Sequence, residues 1–328
     1  MKILVVGYGS IGKRHINNLS LIPGITILVC TKRNYDSFLK KRQCKIFDSL
    51  EQCIKEKPDA ALITNETSHH ISTAIKLAKN QCHLFIEKPL SNSTENLNAL
   101  LKLTQKNKLI TQVGCNLRFH PCMKKIKNLI SKNEIGRIIS AEAYNGSFLP
   151  DWHPTEEYQN SYASNDILGG GVSLTCIHEV DYLYWFFGLV ENVYSITGKF
   201  SDLLIKADDM SAILLQFKNK IIAEIHLDYF QRPSSRYCKI IGTKGTIYCD
   251  LQTNEVKIYD LKKRKWKIVL KLRNYDGNLT YVNELRSFLD CVKSNEMPTN
   301  NIHEGINTLQ IVLSAKKASK TKKMVNLN

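Results

Sequence analysis

The first 120 residues alternate short apolar runs with segments of mixed polarity. The apolar runs predict five strands, at 2–6, 26–30, 59–64, 82–86 and 109–114. The segments between them predict four helices, at 13–19, 49–55, 70–79 and 93–105. Strands that are almost continuously apolar and are separated by helices are typical of a parallel sheet covered on both faces. The pattern therefore predicts an α/β class with a doubly wound, Rossmann-type parallel sheet over residues 1–120.

The second half of the chain has a different period. Many of its apolar runs alternate with polar residues, which favours strands with one buried face. The predicted strands lie at 138–148, 193–199, 210–217, 221–229, 237–241 and 246–250. Residues 242–245 predict a hairpin-like connection between the last two. We therefore expect a second domain, over residues 121–328, in which strands dominate.

Composition agrees with a two-domain globular protein. The chain has 328 residues, 43% of them hydrophobic, which is long for one hydrophobic core. The amino terminus has too short an apolar segment for a secretory signal, and no run approaches the roughly 20 apolar residues of a membrane span. Ten cysteines are scattered without Cys-x-x-Cys or zinc-like spacing, so neither disulfides nor a metal site are predicted. We expect a cytoplasmic, soluble protein.

The net charge of +16 raises the question of an anionic partner. The lysines are dispersed, and the one dense run, 316–323, lies near the carboxyl end. No nucleic-acid-binding motif is present, so neither nucleic acid nor a membrane is predicted as a partner. An anionic small substrate, such as a nucleotide-linked sugar, is equally compatible with this charge.

A glycine motif follows the first predicted strand directly. The segment Gly7-Tyr8-Gly9-Ser10-Ile11-Gly12 leads into the first predicted helix. In the order strand, Gly-x-Gly-x-x-Gly, helix, the three glycines allow a tight turn, approach of a pyrophosphate and close packing of helix on strand. The pyrophosphate lies at the positive end of the helix. Gly7, Gly9, Ser10, Ile11 and Gly12 are therefore predicted to bind a dinucleotide.

The end of the second strand bears on the choice of dinucleotide. An acidic residue about 20 positions after the glycines normally binds the adenosine ribose. Here that place holds Thr31-Lys32-Arg33, and the first acid is Asp36. A hydroxyl beside two cations suits a ribose 2′-phosphate. The segment favours NADP over NAD, unless Lys32 and Arg33 are merely solvated.

The run Leu84-Phe85-Ile86 ends abruptly on Glu87-Lys88-Pro89. In open parallel sheets, ligands bind outside the carboxyl ends of the strands. Pro89 restricts Lys88 to extended conformations, and a lysine there can stabilise negative charge on a substrate oxygen. Lys88 is therefore a candidate catalytic residue.

Together these motifs resemble the Gfo/Idh/MocA family of glucose-fructose oxidoreductase and inositol dehydrogenase. The resemblance rests on the glycine motif, Thr64-Asn65 followed by His70, Glu87-Lys88-Pro89 and the segment 116–121. It implies that Thr64, Asn65, His70, Glu87 and Lys88 hold the cofactor. It also implies an α+β second domain with a large, mainly antiparallel open sheet. An open sheet face needs a cover, so we expect a homodimer or homotetramer through it.

A second candidate site follows Gly169-Gly170-Gly171. The segment 172–187 predicts a helix with His178 and Asp181 on one face. The resemblance implies that His178 exchanges a proton with the substrate hydroxyl, assisted by Lys88. Many relatives carry an Asp four residues before the histidine, where this chain has Leu174. Either Lys88 and His178 suffice, or Thr175 or another residue substitutes, or the chemistry is altered.

Aromatic and polar residues in 148–162 suit a sugar, because rings can stack on its C–H faces while polar groups bind its hydroxyls. A surface loop anchored by Trp152 is the alternative interpretation. A similar segment occurs in family members associated with bacterial surface-sugar pathways. The predicted substrate-binding residues share this polar or aromatic character: Arg118, Trp152, His153, Tyr158, Thr175 and Asp181.

The sequence thus predicts an NAD(P)-dependent oxidoreductase acting on a carbinol carbon of a sugar, cyclitol or nucleotide-linked sugar. Two alternatives stay open. Some relatives use a tightly held dinucleotide in a redox cycle for glycosidic cleavage or internal oxidation and reduction. A non-enzymatic regulator that binds a dinucleotide is the other.

Overall fold

The computed structural model describes residues 1–33, 35–152 and 157–327. It divides the chain into two compact units. The first contains 1–116 and 278–306, and the second contains 117–277 and 307–328.

The first unit is built on a parallel sheet of six strands in the order β3-β2-β1-β4-β5-β6. The strands are β1 Lys2–Val6, β2 Thr26–Cys30, β3 Lys45–Phe47, β4 Ala60–Ile63, β5 His83–Glu87 and β6 Thr111–Gly114. The helices are α1 Ser10–Leu19, α2 Ser37–Lys41, α3 Leu50–Lys55, α4 His70–Lys79, α5 Leu97–Lys106 and, from the later segment, α9 Asn278–Ser294. The predicted Rossmann-type sheet is confirmed.

Helix α9 belongs to the first unit because its apolar face completes that unit's core. Leu285, Phe288 and Leu289 are buried in one cluster with residues of β1, β2, α1 and β4. The ring of Phe288 packs edge-on against Phe85, with 5.6 Å between centroids. Two continuous domains were predicted, 1–120 and 121–328. The observed division differs because this distant helix returns to cover the first sheet.

The second unit contains a sheet of nine strands in the order β14-β13-β12-β11-β7-β10-β9-β8-β15. Its strands are β7 Ile138–Gly146, β8 Val190–Gly198, β9 Met210–Phe217, β10 Ile222–Asp228, β11 Ser235–Gly242, β12 Gly245–Asp250, β13 Glu255–Asp260, β14 Lys265–Lys271 and β15 Val325–Asn326. Its helices are α6 Pro121–Ser131, α7 Val172–Thr175, α8 His178–Phe187 and α10, which spans Ile302–Thr321 and begins in the first unit. The pair β7 and β10 is parallel and the other pairs are antiparallel. The mainly antiparallel sheet is confirmed.

The two faces of this sheet differ in exposure at a period of two. Ala143, Ile213, Ile225, Cys238 and Ile247 share one face and are at most 3% exposed. The other face leaves large apolar side chains exposed, and the register places them together: Tyr194, Ile196, Leu214, Ile222, Ile241, Trp266 and Ile268. Alternation in the sequence therefore translated into one buried and one open face.

Several elements differ from the sequence prediction. The helix predicted over 172–187 is broken at Cys176 and Ile177 into α7 and α8. Helix α5 begins at Leu97, after Asn96 in a left-handed conformation (φ 59°), and not at Ser93. Within the described ranges, no helix is long and apolar enough to cross a membrane.

Candidate functional site

The glycine turn in the first unit fits closely against the end of β4. Gly7 has φ +103°, and a Cβ atom there would lie 2.7 Å from the Asn65 nitrogen. At Gly12 a Cβ atom would lie 2.2 Å from the carbonyl oxygen of Gly7 and 2.9 Å from Oγ1 of Thr64. Only glycine fits these two places. The Thr64 hydroxyl donates to the carbonyls of Val6 (2.9 Å) and Gly7 (3.0 Å), which fixes the turn.

Gly9, unlike Gly7 and Gly12, borders open space. Its surroundings therefore show whether the turn has room for a dinucleotide. A Cβ atom at Gly9 would have no atom of the described chain within 4 Å. Gly9 and Ser10 are exposed at the start of α1, with Ile11 half-buried beside them. In addition, Oδ1 of Asn65 is buried without a hydrogen-bond partner among the residues described. Open space before a helix amino terminus and an unused polar atom beside it fit a bound pyrophosphate and its sugar.

The end of β2 presents cations. Lys32 and Arg33 are exposed, and the Arg33 amide donates to Oγ1 of Thr31 at 3.1 Å. The carboxylate of Asp36 accepts from the Tyr8 hydroxyl at 2.8 Å and from the Leu39 amide at 3.0 Å. The Leu39 amide and the Tyr8 hydroxyl hold the pKa of Asp36 below its ordinary value. Asp36 is thereby engaged as the cap of α2.

The Glu87-Lys88-Pro89 segment leaves the sheet directly after β5, at the same edge as the glycine turn after β1. Lys88 is half-buried. The Glu87 side chain is 7% exposed, and its Oε1 lies 2.7 Å from Nε2 of His15. Its Oε2 accepts from the Lys88 amide at 3.2 Å.

His70 contacts the main chain of this segment and of the residues that follow β4. Its Nδ1 is 3.0 Å from the Pro89 carbonyl and its Nε2 is 3.0 Å from the Asn65 carbonyl. Burial lowers the pKa of His70, although both carbonyls oppose that shift. His70 thus joins two segments of the predicted cofactor site through backbone atoms.

His15 is a residue of this arrangement that the sequence did not indicate. It lies on α1, three residues after Gly12, and is fully buried. A histidine on the apolar face of a helix carries no signal of its own, because its partner Glu87 is 72 residues away.

In the second unit, the three glycines lead into α7. A Cβ atom at Gly170 would lie 2.1 Å from the Tyr162 carbonyl, and Gly171 has φ +96°. The carboxylate of Asp208 accepts from the amide (2.9 Å) and hydroxyl (2.7 Å) of Ser173. The same carboxylate pairs with Lys316 at 2.7 Å. Glycine geometry and Asp208 therefore set the start of the segment that carries His178.

His178 begins α8 and is 8% exposed. One turn later, Asp181 forms two hydrogen bonds with Arg118, at 2.9 Å and 2.8 Å. Thr308 also donates to Asp181, at 3.3 Å. Arg118 and Asp181 are 4% and 1% exposed. The structure therefore brings two predicted substrate-binding residues together as a buried ion pair.

Two residues that precede His178 in the chain, and Tyr229 directly after β10, are buried. Leu174, at the place of the family's Asp, is 3% exposed, and Thr175 is 4% exposed. Tyr229 is fully buried, and burial raises the pKa of its hydroxyl.

The aromatic segment 148–162 contacts other residues of the second unit through Trp152 and Tyr158. Nε1 of Trp152 donates to Oγ of Ser147 at 2.9 Å, and its ring packs edge-on against Tyr229 at 5.3 Å. The hydroxyl of Tyr158 accepts from the Leu204 amide at 3.2 Å. His153 lies outside the described residues. Across the described ranges, no group of three or more His, Cys, Asp or Glu side chains could hold a metal ion.

Comparison with known families agrees with both units. Residues 1–115 match the oxidoreductase family with an NAD-binding Rossmann fold, and residues 123–248 match the GFO/IDH/MocA C-terminal domain.

Individual relatives match over nearly the whole chain. Myo-inositol 2-dehydrogenase of Thermotoga maritima is 27% identical, covering 100% of this chain and 98% of that protein. The scyllo-inositol 2-dehydrogenase (NAD(+)) of Bacillus subtilis is 25% identical over 91% of this chain and 88% of that protein. Levoglucosan dehydrogenase in complex with NADH shares the fold, with a TM-score of 0.90 at 15% identity over 100% of this chain and 99% of that one. With the dinucleotide-type glycine turn and the second-domain match, the chain belongs to the Gfo/Idh/MocA family of NAD-binding oxidoreductases.

Proposed function

We propose that this oxidoreductase moves a hydride between the nicotinamide of its dinucleotide and a carbinol carbon of a cyclitol, sugar or nucleotide-linked sugar. The main observation that supports this proposal is the position of Lys88. It follows β5 at the same edge of the sheet at which the glycine turn follows β1. That edge is where open parallel sheets bind their ligands. The names of the two inositol dehydrogenases support a ring alcohol as the substrate.

The proposal gives a role to Lys88 and a role to His178. In the direction of oxidation, Lys88 hydrogen-bonds the substrate oxygen and stabilises the negative charge that develops on it. His178 accepts the hydroxyl proton, and returns it in the reverse direction. The bound nicotinamide supplies the hydride acceptor or donor. Gly7, Gly9, Ser10, Ile11, Gly12, Thr64 and Asn65 would hold the dinucleotide, with His70 and Glu87 fixing the segments around it.

We further propose that the substrate is bound by Trp152, Tyr158, Thr175 and His153. Arg118 and Asp181 were predicted in the same role. Their mutual ion pair supports a different one, in which they hold α8 and so position His178.

NADP is the dinucleotide that we favour. Exposed Lys32 and Arg33 beside Thr31 support a 2′-phosphate, and the engagement of Asp36 with Tyr8 and Leu39 leaves its carboxylate occupied. The names of two similar proteins mention NAD(+) or NADH, so the preference is a specific claim about this chain.

We propose that the chain forms a homodimer or homotetramer through the open face of the nine-stranded sheet. The exposed apolar side chains of that face support its burial against a second copy of the chain.

We propose a cytoplasmic location. It is supported by the ten cysteines, all of which carry free thiols.

Leu174 supports a second candidate function. Its apolar side chain cannot relay a proton, so a non-enzymatic regulator that binds a dinucleotide is one alternative. A redox cycle on a tightly held dinucleotide, for glycosidic cleavage or internal oxidation and reduction, is the other, and it does not depend on Leu174. A cycle of this kind consumes no free dinucleotide, whereas a dehydrogenase reduces one dinucleotide for each substrate oxidised.

The test is a screen of inositols, sugars and nucleotide-linked sugars with NAD and NADP, followed by absorbance of the reduced nicotinamide. We expect one class of ring alcohol to be oxidised stoichiometrically. Lys88→Ala and His178→Ala should each lower kcat by about 10²-fold or more, whereas Lys76→Ala, at an exposed surface pair, should not. Full turnover in both active-site variants would overturn the proposal. Product without net dinucleotide reduction would favour the redox cycle.

A further inference from the structure

We propose that His15 is a positioning residue for Lys88 and acts through the carboxylate of Glu87. The inference rests on the proposed role of Lys88 in the reaction. It assigns a role to His15, a residue that has no role in the glycine motif.

The geometry is a short chain of hydrogen bonds within the first unit. Nε2 of His15 lies 2.7 Å from Oε1 of Glu87. The other carboxylate oxygen, Oε2, accepts from the main-chain amide of Lys88 at 3.2 Å. The Glu87 carboxylate thus bridges an imidazole of α1 and the backbone of the catalytic candidate.

The donor and the acceptor of the hydrogen bond between His15 and Glu87 can be assigned. A carboxylate oxygen accepts, so the bond is made by a proton on Nε2 of His15. Nδ1 of His15 is buried and lacks a hydrogen-bond partner in the ranges described. The bond to Glu87 is therefore the polar contact that sets the orientation of the ring.

Packing holds both partners in place. The His15 ring packs edge-on against Phe85 at 5.2 Å and against Tyr281 at 6.3 Å. On the other side of the carboxylate, a Cβ atom at Gly114 would lie 3.0 Å from Oε2 of Glu87. The carboxylate therefore has little room to turn, and a change at His15 should be transmitted to Lys88.

The arrangement also joins two parts of the proposed cofactor site. His15 lies three residues after Gly12 on α1, the helix that begins at the glycine turn. Glu87 ends β5 and immediately precedes Lys88. A buried polar pair is weak evidence for added stability, since apolar residues of similar volume often stabilise as well. Its specific effect here is to fix where the Lys88 main chain, and hence its side chain, begins.

The test compares His15→Gln with His15→Asn. Gln can place an amide donor near the position of Nε2, whereas the shorter Asn places it near Nδ1, where wild type makes no bond. We expect His15→Asn to increase hydrogen exchange of the Lys88 amide in the dinucleotide-free protein by about tenfold. We expect its kcat to fall by roughly 10²-fold, as for a misplaced catalytic group. KM and dinucleotide affinity should stay within about threefold of wild type, since the binding groups are intact.

His15→Gln should restore both the Lys88 amide protection and most of kcat. The matched control is His83→Gln, at the first residue of β5, where His83 accepts from the Ile110 amide at 2.9 Å. It should leave Lys88 exchange and kcat unchanged. Equal exchange and equal kcat in His15→Asn, His15→Gln and wild type would overturn the inference.

The amide measurement separates the two possible failures. If Lys88→Ala keeps full turnover, the proposed function fails, while Lys88 exchange still decides whether His15 holds that segment. If Lys88→Ala is inactive but His15→Asn behaves as wild type in exchange and turnover, only the role of His15 fails.

Discussion

The guanidinium of Arg118 binds the carboxylate of Asp181 through two parallel hydrogen bonds. Nε lies 2.9 Å from Oδ2, and one terminal nitrogen lies 2.8 Å from Oδ1. The side chains are 3% and 2% exposed. Because Asp181 lies one turn after His178 on α8, this pair ties the segment 117–119 to the helix that carries the proposed acid or base.

Removing one partner of this pair should destabilise the fold strongly. Asp181→Asn leaves a buried guanidinium without its counter-charge, and we expect a loss of about 3–5 kcal/mol in the free energy of unfolding. Urea denaturation measures it. Asp151→Asn is the matched control, because the Asp151–Arg232 pair is more than half exposed and should contribute less than about 1 kcal/mol. Similar losses of unfolding free energy in the two variants would contradict the conclusion that the buried Arg118–Asp181 pair stabilises the fold more than an exposed pair does.

Gly9→Ala and Gly12→Ala should separate binding from folding. At Gly9 a methyl group meets no atom of the described chain within 4 Å, and φ is −82°. We therefore expect an unchanged melting temperature, with dinucleotide affinity lowered about tenfold or more because the methyl occupies the pyrophosphate's place. At Gly12 the methyl would lie 2.2 Å from the Gly7 carbonyl, so the protein itself should be destabilised. Calorimetry measures both; normal dinucleotide binding in Gly9→Ala would refute the location of the pyrophosphate.

Replacing Lys32 and Arg33 by alanine tests the NADP proposal. Each cation that contacts a 2′-phosphate should contribute roughly tenfold in affinity. We expect NADP binding to weaken by that factor per substitution, and NAD binding to remain within about twofold. Lys55→Ala, an exposed change on α3, should affect neither. Wild type that binds NAD more tightly than NADP would show that the two cations are merely solvated.

The stability of the protein should depend on pH through His70. Burial lowers its pKa in the folded state below the ordinary 6.5, so the unfolded chain takes up a proton first as pH falls. Stability from this residue is full above pH 6.5 and decreases below it, by up to about 1.4 kcal/mol per pH unit. His70→Gln should remove this dependence in urea titrations from pH 7.5 to 5.5. His69, the preceding residue, is exposed and serves as the control. His69→Gln should keep the wild-type dependence of stability on pH.

Charged residues on the open sheet face should prevent assembly. Ile196 and Leu214 are 55% and 44% exposed on that face, and an aspartate at either place would be desolvated in an interface. We expect Ile196→Asp and Leu214→Asp to be monomeric by light scattering, with unchanged melting of the monomer. Leu21→Asp, 73% exposed on the first unit, should assemble as wild type does. A monomeric wild type would refute the proposed interface.

Local patterns explain which strands could be predicted and which could not. Apolar runs such as Lys2–Val6, Thr26–Cys30 and Met210–Phe217 were predicted with the bounds that the structure has. Strands β13 and β14 were not predicted, because their exposed lysines and Trp266 give a weak alternation at the edge of the sheet. Helix α9 was also missed, and its place in the first unit depends on contacts with residues more than 250 positions earlier.

The sequence by itself determined the family, the two kinds of sheet and the glycine turn, because these depend on periodicity and on motifs read over a few residues. Only the tertiary structure decided the partners of the buried polar groups. Arg118 meets Asp181, Glu87 meets His15, and His70 meets the Pro89 carbonyl. These groups lie 19 to 72 positions apart. Buried polar groups must find hydrogen-bond partners wherever the fold brings them, and no local pattern shows which ones these are.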